Sequence, residues 1–164
     1  HETLIRAFAL LHNKYPEWDL RIVGDGNLRN FLQELSRKLL VDSKVIFVGS
    51  VENIEDEYKS ASFFAMSSLF ESFGLVTVEA MACQLPVVGF QNCPGTNELV
   101  VDKVNGILVS GNDRVNSFSA GMELLMTDKK LYKSLKENTR KTAERFSIKV
   151  VTSKWEDILR KVVN

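Results

Sequence analysis

The sequence predicts an α/β domain in which a doubly wound parallel sheet carries helices on both faces. Three observations support this. The β-prone runs are short and continuously apolar rather than alternating, as in 44–48 (KVIFV) and 86–90 (PVVGF), which is how strands covered on both faces read. Segments of helical period separate these runs, and glycine-bearing turns such as Gly24-Asp25-Gly26 and Gly49-Ser50 close them.

The elements follow in order. Leu4, Phe8 and Leu11 recur at helical spacing over 3–13, and Pro16 ends that pattern. A strand is expected at 19–23 (DLRIV), then the glycine turn, then an amphipathic helix over 27–40 with Leu28, Phe31, Leu32, Leu35 and Leu39. The unit repeats with a strand at 44–48, the Gly49-Ser50 turn and a polar helix over 54–61. It repeats again with a strand at 62–67, a loop over 69–74 and a helix over 75–84. Strands are predicted at 86–90 and 106–109, and from Ser117 onward the chain reads as helix alone. In a parallel sheet the loops at the carboxyl ends of the strands gather on one edge and form the ligand crevice. Here those are 24–27, 49–51, 68–74, 91–98 and the stretch after Val109.

Length and composition bound the function. The 164 residues, 45% hydrophobic and 26% charged, describe one globular domain. The 21 basic and 21 acidic side chains cancel, so neither nucleic acid nor an anionic membrane would attract the chain at long range. No apolar run approaches the roughly 18 to 20 residues that cross a bilayer, and no signal peptide opens the sequence. A cytoplasmic location is expected. Cys83 and Cys93 form no CxxC pair and the histidines are His1 and His12 alone, so spacing assembles no metal site. Cys83 reads as a small core residue, the Lys129-Lys130 and Arg140-Lys141 pairs as solvated helix faces, and Trp155 as a packing anchor. The opening His1 leads directly into a helical pattern, which suggests a piece of something longer.

The chemistry concentrates in Glu71-Ser-Phe-Gly-Leu-Val-Thr-Val-Glu79. Gly74 stands at the mouth of a predicted helix, where the N–H groups of Gly74, Leu75 and Val76 lack helical partners and the dipole favours an anion. Glu79 lies about 6 Å further along the axis, and helical side chains lean back toward the N-terminus. Carboxylates repel phosphate but accept hydrogen bonds from hydroxyls, so the pair points to hydroxyls beside phosphate, as in a nucleotide-sugar. The same spacing also fits two acids that only decorate the start and the exposed face of a helix.

These nine residues resemble the motif of two glutamates seven residues apart in retaining glycosyltransferases of the GT-B fold, the large group similar to glycogen synthase and sucrose synthase. Further segments match that group in order: 22–26 (IVGDG), 45–51 (VIFVGSV), 55–68, 79–90 (EAMACQLPVVGF), 95–100 (GTNELV), 105–109 (NGILV) and 144–158. The resemblance implies the C-terminal, donor-binding half of such an enzyme, with a Rossmann-like sheet. It implies that Glu71 binds hydroxyls of the donor sugar and is the catalytic acid of the motif, and that Glu79 binds the ribose. The backbone of Phe73, Gly74, Leu75 and Val76 would meet sugar and diphosphate. Gly24, Asp25 and Gly26 would form a loop at the nucleotide crevice, and Phe47 to Val51, with Val48, Gly49 and Ser50 at its centre, would line the base pocket. Gly95 and Glu98 match a Gly-x-x-Glu loop facing the crevice, although this chain has Asn92-Cys93-Pro94-Gly95 where many relatives carry two adjacent glycines.

The resemblance also implies parts outside this numbering. Relatives carry an Arg and a Lys that grip the diphosphate ahead of the helix that opens this chain, and an acceptor domain before them. The expected organisation is therefore one nucleotide-sugar-binding domain over 1–164, truncated at its N-terminus, with peripheral membrane contact left to the absent domain. The expected function is donor binding for a hexosyltransferase making polysaccharide or glycoconjugate. The nucleotide-sugar, by analogy a uridine diphosphate sugar, is its substrate, with no cofactor and no metal. A module that binds nucleotide-sugar or a partner without catalysis is the alternative. A response-regulator-like fold would need an acidic cluster at the ends of the first and third strands, and Asp25 alone does not supply one. A Rossmann-type strand order of 3-2-1-4-5-6 puts the position of the missing first strand between 19–23 and 63–67. Either an upstream segment fills that slot or those two runs pair directly.

Overall fold

A computed structural model describes residues 1–163. Its elements run α1 (Glu2–Ala9), β1 (Leu20–Val23), α2 (Arg29–Lys38), β2 (Val45–Gly49), α3 (Ile54–Ser60), β3 (Phe64–Met66) and α4 (Leu75–Ala82). They continue with β4 (Val87–Phe90), α5 (Thr96–Leu99), β5 (Gly106–Val109), α6 (Arg114–Thr127), α7 (Lys129–Glu144) and α8 (Ile148–Val163). The predicted alternation of strand and helix is present, with ends trimmed by a few residues. α6 starts ahead of the predicted Ser117 because Asp113 caps it, its carboxylate accepting from Asn116 N at 3.0 Å. α5 is a four-residue helix inside what reads as a loop.

All strands are parallel, in two groups. β1 pairs with β2 through Leu20↔Val45 to Ile22↔Phe47, and β4 sits between β3 and β5, with Phe64↔Val87 and Val87↔Gly106 in register. β1 and β3 do not pair, so the direct ladder between 19–23 and 63–67 is absent. Side chains join them instead. Trp18, just before β1, packs against Phe63, just before β3, with ring centroids 5.4 Å apart. One apolar core runs under both groups, from Leu20, Ile22 and Val45 through Ile5 and Phe8 of α1 to Val88, Phe90, Ile107 and Phe118.

The two groups differ in how they are covered. β4 is buried at every position, as an apolar run in a central strand requires. β1 instead alternates, with Arg21 turned outward onto α3, where its guanidinium forks onto Glu57 through two hydrogen bonds of 2.9 Å. Burial on both faces thus holds for β4 and nearly so for β5, is partial at the edge strand β3, and fails for β1 and β2, where Ile46 is also exposed. Trp155 is corrected too. It lies 60% exposed on α8, whose apolar side from Ile148 to Val162 is largely open, so it is not a buried anchor among the described residues. Lys129, Lys130, Arg140 and Lys141 are exposed as predicted. No described helix is long and apolar enough to cross a membrane.

The core makes a direct prediction. Phe118 is fully buried and lies against Phe90 with centroids 5.0 Å apart. Phe118→Ala should lower the free energy of unfolding by about 3–5 kcal/mol in urea denaturation, and a loss below about 1 kcal/mol would mean that α6 is not packed as described.

Candidate functional site

The loops at the carboxyl ends of the strands fall into two clusters. The first joins β1 to β2. Gly24, with φ at +110°, donates its N–H to Gly49 O at 2.7 Å, and the Asp25 carboxylate accepts from Gly26 N at 2.8 Å. Arg29, one turn on, stitches the cluster together: it donates to Phe47 O at 3.0 Å and stands 3.7 Å from Asp25 Oδ2. Gly24, Asp25, Gly26, Arg29 and Phe47, with His1, line a concavity of about 300 Å³. Val48 is half-buried behind it, Gly49 is buried and Ser50 is exposed.

The second cluster joins the ends of β3 and β4. Glu71 donates its N–H to Pro94 O at 3.1 Å, which lays the loop over 68–74 against the loop over 91–98. Gly95 makes that approach possible. Its φ is +79°, and a Cβ built on it would strike the Glu71 carbonyl and stand 2.9 Å from Glu71 Cβ. Glu71 is half-buried and Glu98, on α5, is exposed. Gly74, at φ +81°, opens α4 without a side-chain cap. The first helical N–H to find an acceptor is that of Thr77, on Gly74 O at 2.9 Å. Among the described residues, the N–H groups of Leu75 and Val76 are therefore the orphan donors of an exposed helix mouth. Phe73 is fixed by Phe146 beyond the end of α7, ring centroids 5.2 Å apart. In the first turn of α4, the Thr77 hydroxyl is buried with no hydrogen-bond partner among the described residues.

Glu79 lies exposed on α4, and its Oε2 accepts from the Tyr58 hydroxyl at 3.2 Å. Burial, then the neighbouring Glu79 carboxylate, pushes the Tyr58 phenol well above its ordinary pKa, so it stays a donor. α3 thereby connects the clusters, because Glu57 grips Arg21 of β1 while the next residue, Tyr58, holds Glu79 of α4.

Three residues of this arrangement were not legible in the sequence: Arg29, Tyr58 and Arg114. Arg114 donates to Ser68 O and to Asn92 Oδ1, each at 3.4 Å, and its guanidinium lies 3.4 Å from the centroid of the Phe90 ring. It ties together the same two loops that Glu71 and Gly95 join, and no carboxylate lies within 4.0 Å of it among the described residues. Cys83 is half-buried beside the Tyr58, Ala80 and Leu85 cluster, and burial raises its thiol pKa, as suits a packing residue. No three His, Cys, Asp or Glu side chains among the described residues are grouped to hold a metal ion.

An α/β half-domain with its crevice on this edge is a fold already seen. Anabaena HepE, solved in complex with UDP, is similar over 98% of this chain and 45% of its own, with 25% identity and a TM-score of 0.87. A pneumococcal O-GlcNAc transferase, GtfA, solved with UDP and GlcNAc, superposes on 99% of this chain and 33% of its own at a TM-score of 0.88 and 24% identity. The fold is that of one domain of a GT-B glycosyltransferase. The sequence pattern of glycosyl transferases group 1 matches residues 1–142, and the chain belongs to that family. An uncharacterized glycosyltransferase of Haemophilus influenzae is 33% identical over 156 residues, 95% of this chain and 44% of its own length. A Campylobacter jejuni protein is 34% identical over 89% of this chain and 39% of its own length. It is described as an N-acetylgalactosamine-N,N'-diacetylbacillosaminyl-diphospho-undecaprenol 4-alpha-N-acetylgalactosaminyltransferase. The chain thus spans less than half the length of these relatives.

Gly95→Ala should be unfavourable by roughly 1–3 kcal/mol through its left-handed backbone and the Glu71 contact. Gly26→Ala, with open space around it, should change stability by no more than about 0.5 kcal/mol. Parallel urea titrations of the two variants test this, and equal effects would contradict the close approach of the two loops.

Proposed function

We propose that residues 1–164 are the donor-binding, C-terminal half of a retaining hexosyltransferase that builds polysaccharide or glycoconjugate from a uridine diphosphate sugar. The observation that carries the reading is the second cluster. Glu71 lies in the loop that leads into the uncapped mouth of α4, four residues ahead of Leu75, so one short stretch offers both a hydroxyl acceptor and N–H donors without helical partners. Family membership and the UDP held by HepE support the choice of ligand.

On this reading the diphosphate lies at the N–H groups of Leu75 and Val76, Glu71 accepts hydroxyls of the sugar, and Glu79 those of the ribose. The backbone of Phe73 to Val76 meets sugar and diphosphate, Gly24 to Gly26 and Val48 to Ser50 frame the nucleotide, and Glu98 faces the crevice from α5. In the reaction the acceptor oxygen bonds to the anomeric carbon as the bond to the diphosphate breaks, and the hydroxyl proton leaves with the diphosphate. Attack from the face of the leaving group retains configuration. Charge developing on the diphosphate is stabilised by helix donors and by cations of the preceding segment, so the scheme uses no metal or cofactor. The acceptor domain belongs to that same preceding segment, and the enzyme works in the cytoplasm, peripheral to the membrane through it.

Calorimetry with a panel of nucleoside diphosphates and their sugar conjugates tests the reading on the whole natural chain. Glu79→Gln should weaken UDP and UDP-sugar alike, by about 1–3 kcal/mol, and Glu71→Gln should mainly weaken the sugar conjugate. Glu71→Gln should also lower the turnover number if its hydrogen bonds tighten at the transition state. Near-zero losses in all four pairings would reduce both glutamates to surface residues. Residues 1–164 alone should transfer no sugar, since two charged donors to the diphosphate, at roughly 1.5 to 3 kcal/mol each, lie outside them. Appreciable turnover by this piece would refute that.

A further inference from the structure

Tyr58 is 6% exposed, its ring edge-on to Phe64 with centroids 5.9 Å apart at 81°, and it packs with Ala80 and Leu85. Apolar contacts therefore fix the ring and leave one polar atom to satisfy. That hydroxyl lies 3.2 Å from Glu79 Oε2 and 3.3 Å from Val76 O. A phenol has one proton to donate. The carboxylate is the stronger acceptor, and Val76 O is already the helical acceptor of residue 80. The proton therefore goes to Glu79.

We propose that Tyr58 is the positioning residue of the ribose subsite: its hydroxyl pins Oε2 of Glu79, which leaves Oε1 set in one rotamer for the ribose hydroxyls. This rests on the reading of Glu79 given above. An exposed glutamate on a helix samples several rotamers, and ordering it on binding weakens affinity. A buried donor on the neighbouring helix does that ordering before the ligand arrives. The donor is itself held from behind, because α3 is clamped to β1 by the Glu57 and Arg21 fork. The geometry also bears on specificity, since the advantage is felt only by a ligand that carries ribose hydroxyls.

The test is calorimetric titration of the whole natural chain and its Tyr58→Phe variant with UDP and with 2′,3′-dideoxyuridine diphosphate. Tyr58→Phe keeps the ring and removes only the hydroxyl. UDP should bind roughly three- to tenfold more weakly to the variant, while the dideoxy analogue should bind both proteins within about twofold. Adding Tyr58→Phe to Glu79→Gln should cause no further loss for UDP. Equal losses for both nucleotides, or no loss for either, would overturn the role of Tyr58. Glu79→Gln with Tyr58 intact separates the two readings. If it too weakens both nucleotides equally, the ribose assignment of Glu79 has failed; if it is ribose-selective while Tyr58→Phe is silent, only the positioning role has.

Discussion

The backbone of Glu71 lies directly against Gly95, and the second cluster depends on that contact. Parallel strands put successive loops on one edge of a sheet, but adjacency alone does not bring two loops into backbone contact. Here the N–H of Glu71 finds Pro94 O, and the missing Cβ of Gly95 removes the obstacle. Arg114 then closes the seam from below by bonding Ser68 on one loop and Asn92 on the other. The result sets half-buried Glu71 in the loop that leads into a helix mouth whose first N–H groups have no acceptor among the described residues.

The sequence could show this site only as far as local chemistry reaches. Gly24, Gly49, Gly74 and Gly95 mark loops because each needs a backbone that other residues adopt at a cost, and all four have positive φ. The two glutamates were legible through their spacing along one helix and the loop before it. Tyr58, Arg29 and Arg114 were not, because their partners lie far along the chain, 21 residues away at Glu79, 18 at Phe47 and 46 at Ser68. α5 escaped notice for another reason: four residues complete barely one turn and leave no period to read. Trp155 shows the opposite error. An aromatic residue at helical spacing reveals an apolar side but not whether anything covers it, and here it stands 60% exposed.

The unpaired edges of β1 and β3 show how the two strand groups hold together. Without a ladder between them, their relation rests on α1 and α6, on Trp18 against Phe63, and on α3. α3 joins the strand that leads to the Gly24 loop to a residue of the candidate site, since Glu57 binds Arg21 of β1 and Tyr58 binds Glu79 of α4. A shift of this short helix would therefore be felt at Glu79 as well as at the strand that carries the Gly24 loop.

Charge sharpens the division of labour across the crevice. Arg29 and Arg114 each hold loops of the crevice. Arg29 donates to Phe47 O and stands 3.7 Å from Asp25, and Arg114 lies on Phe90 and donates to Ser68 O and Asn92 Oδ1, its buried Nε having no partner among the described residues. A guanidinium stacked and bonded in this way sets loop geometry, and moving it to a ligand would release the loops it holds. Under the proposed function, the diphosphate charge is met by hydrogen bonds from the N–H groups of α4 and by cations that the family resemblance places ahead of residue 1. On that same proposal the domain supplies shape and hydroxyl recognition while the preceding segment supplies the charge for departure of the leaving group, so recognition and turnover can be separated experimentally along that line.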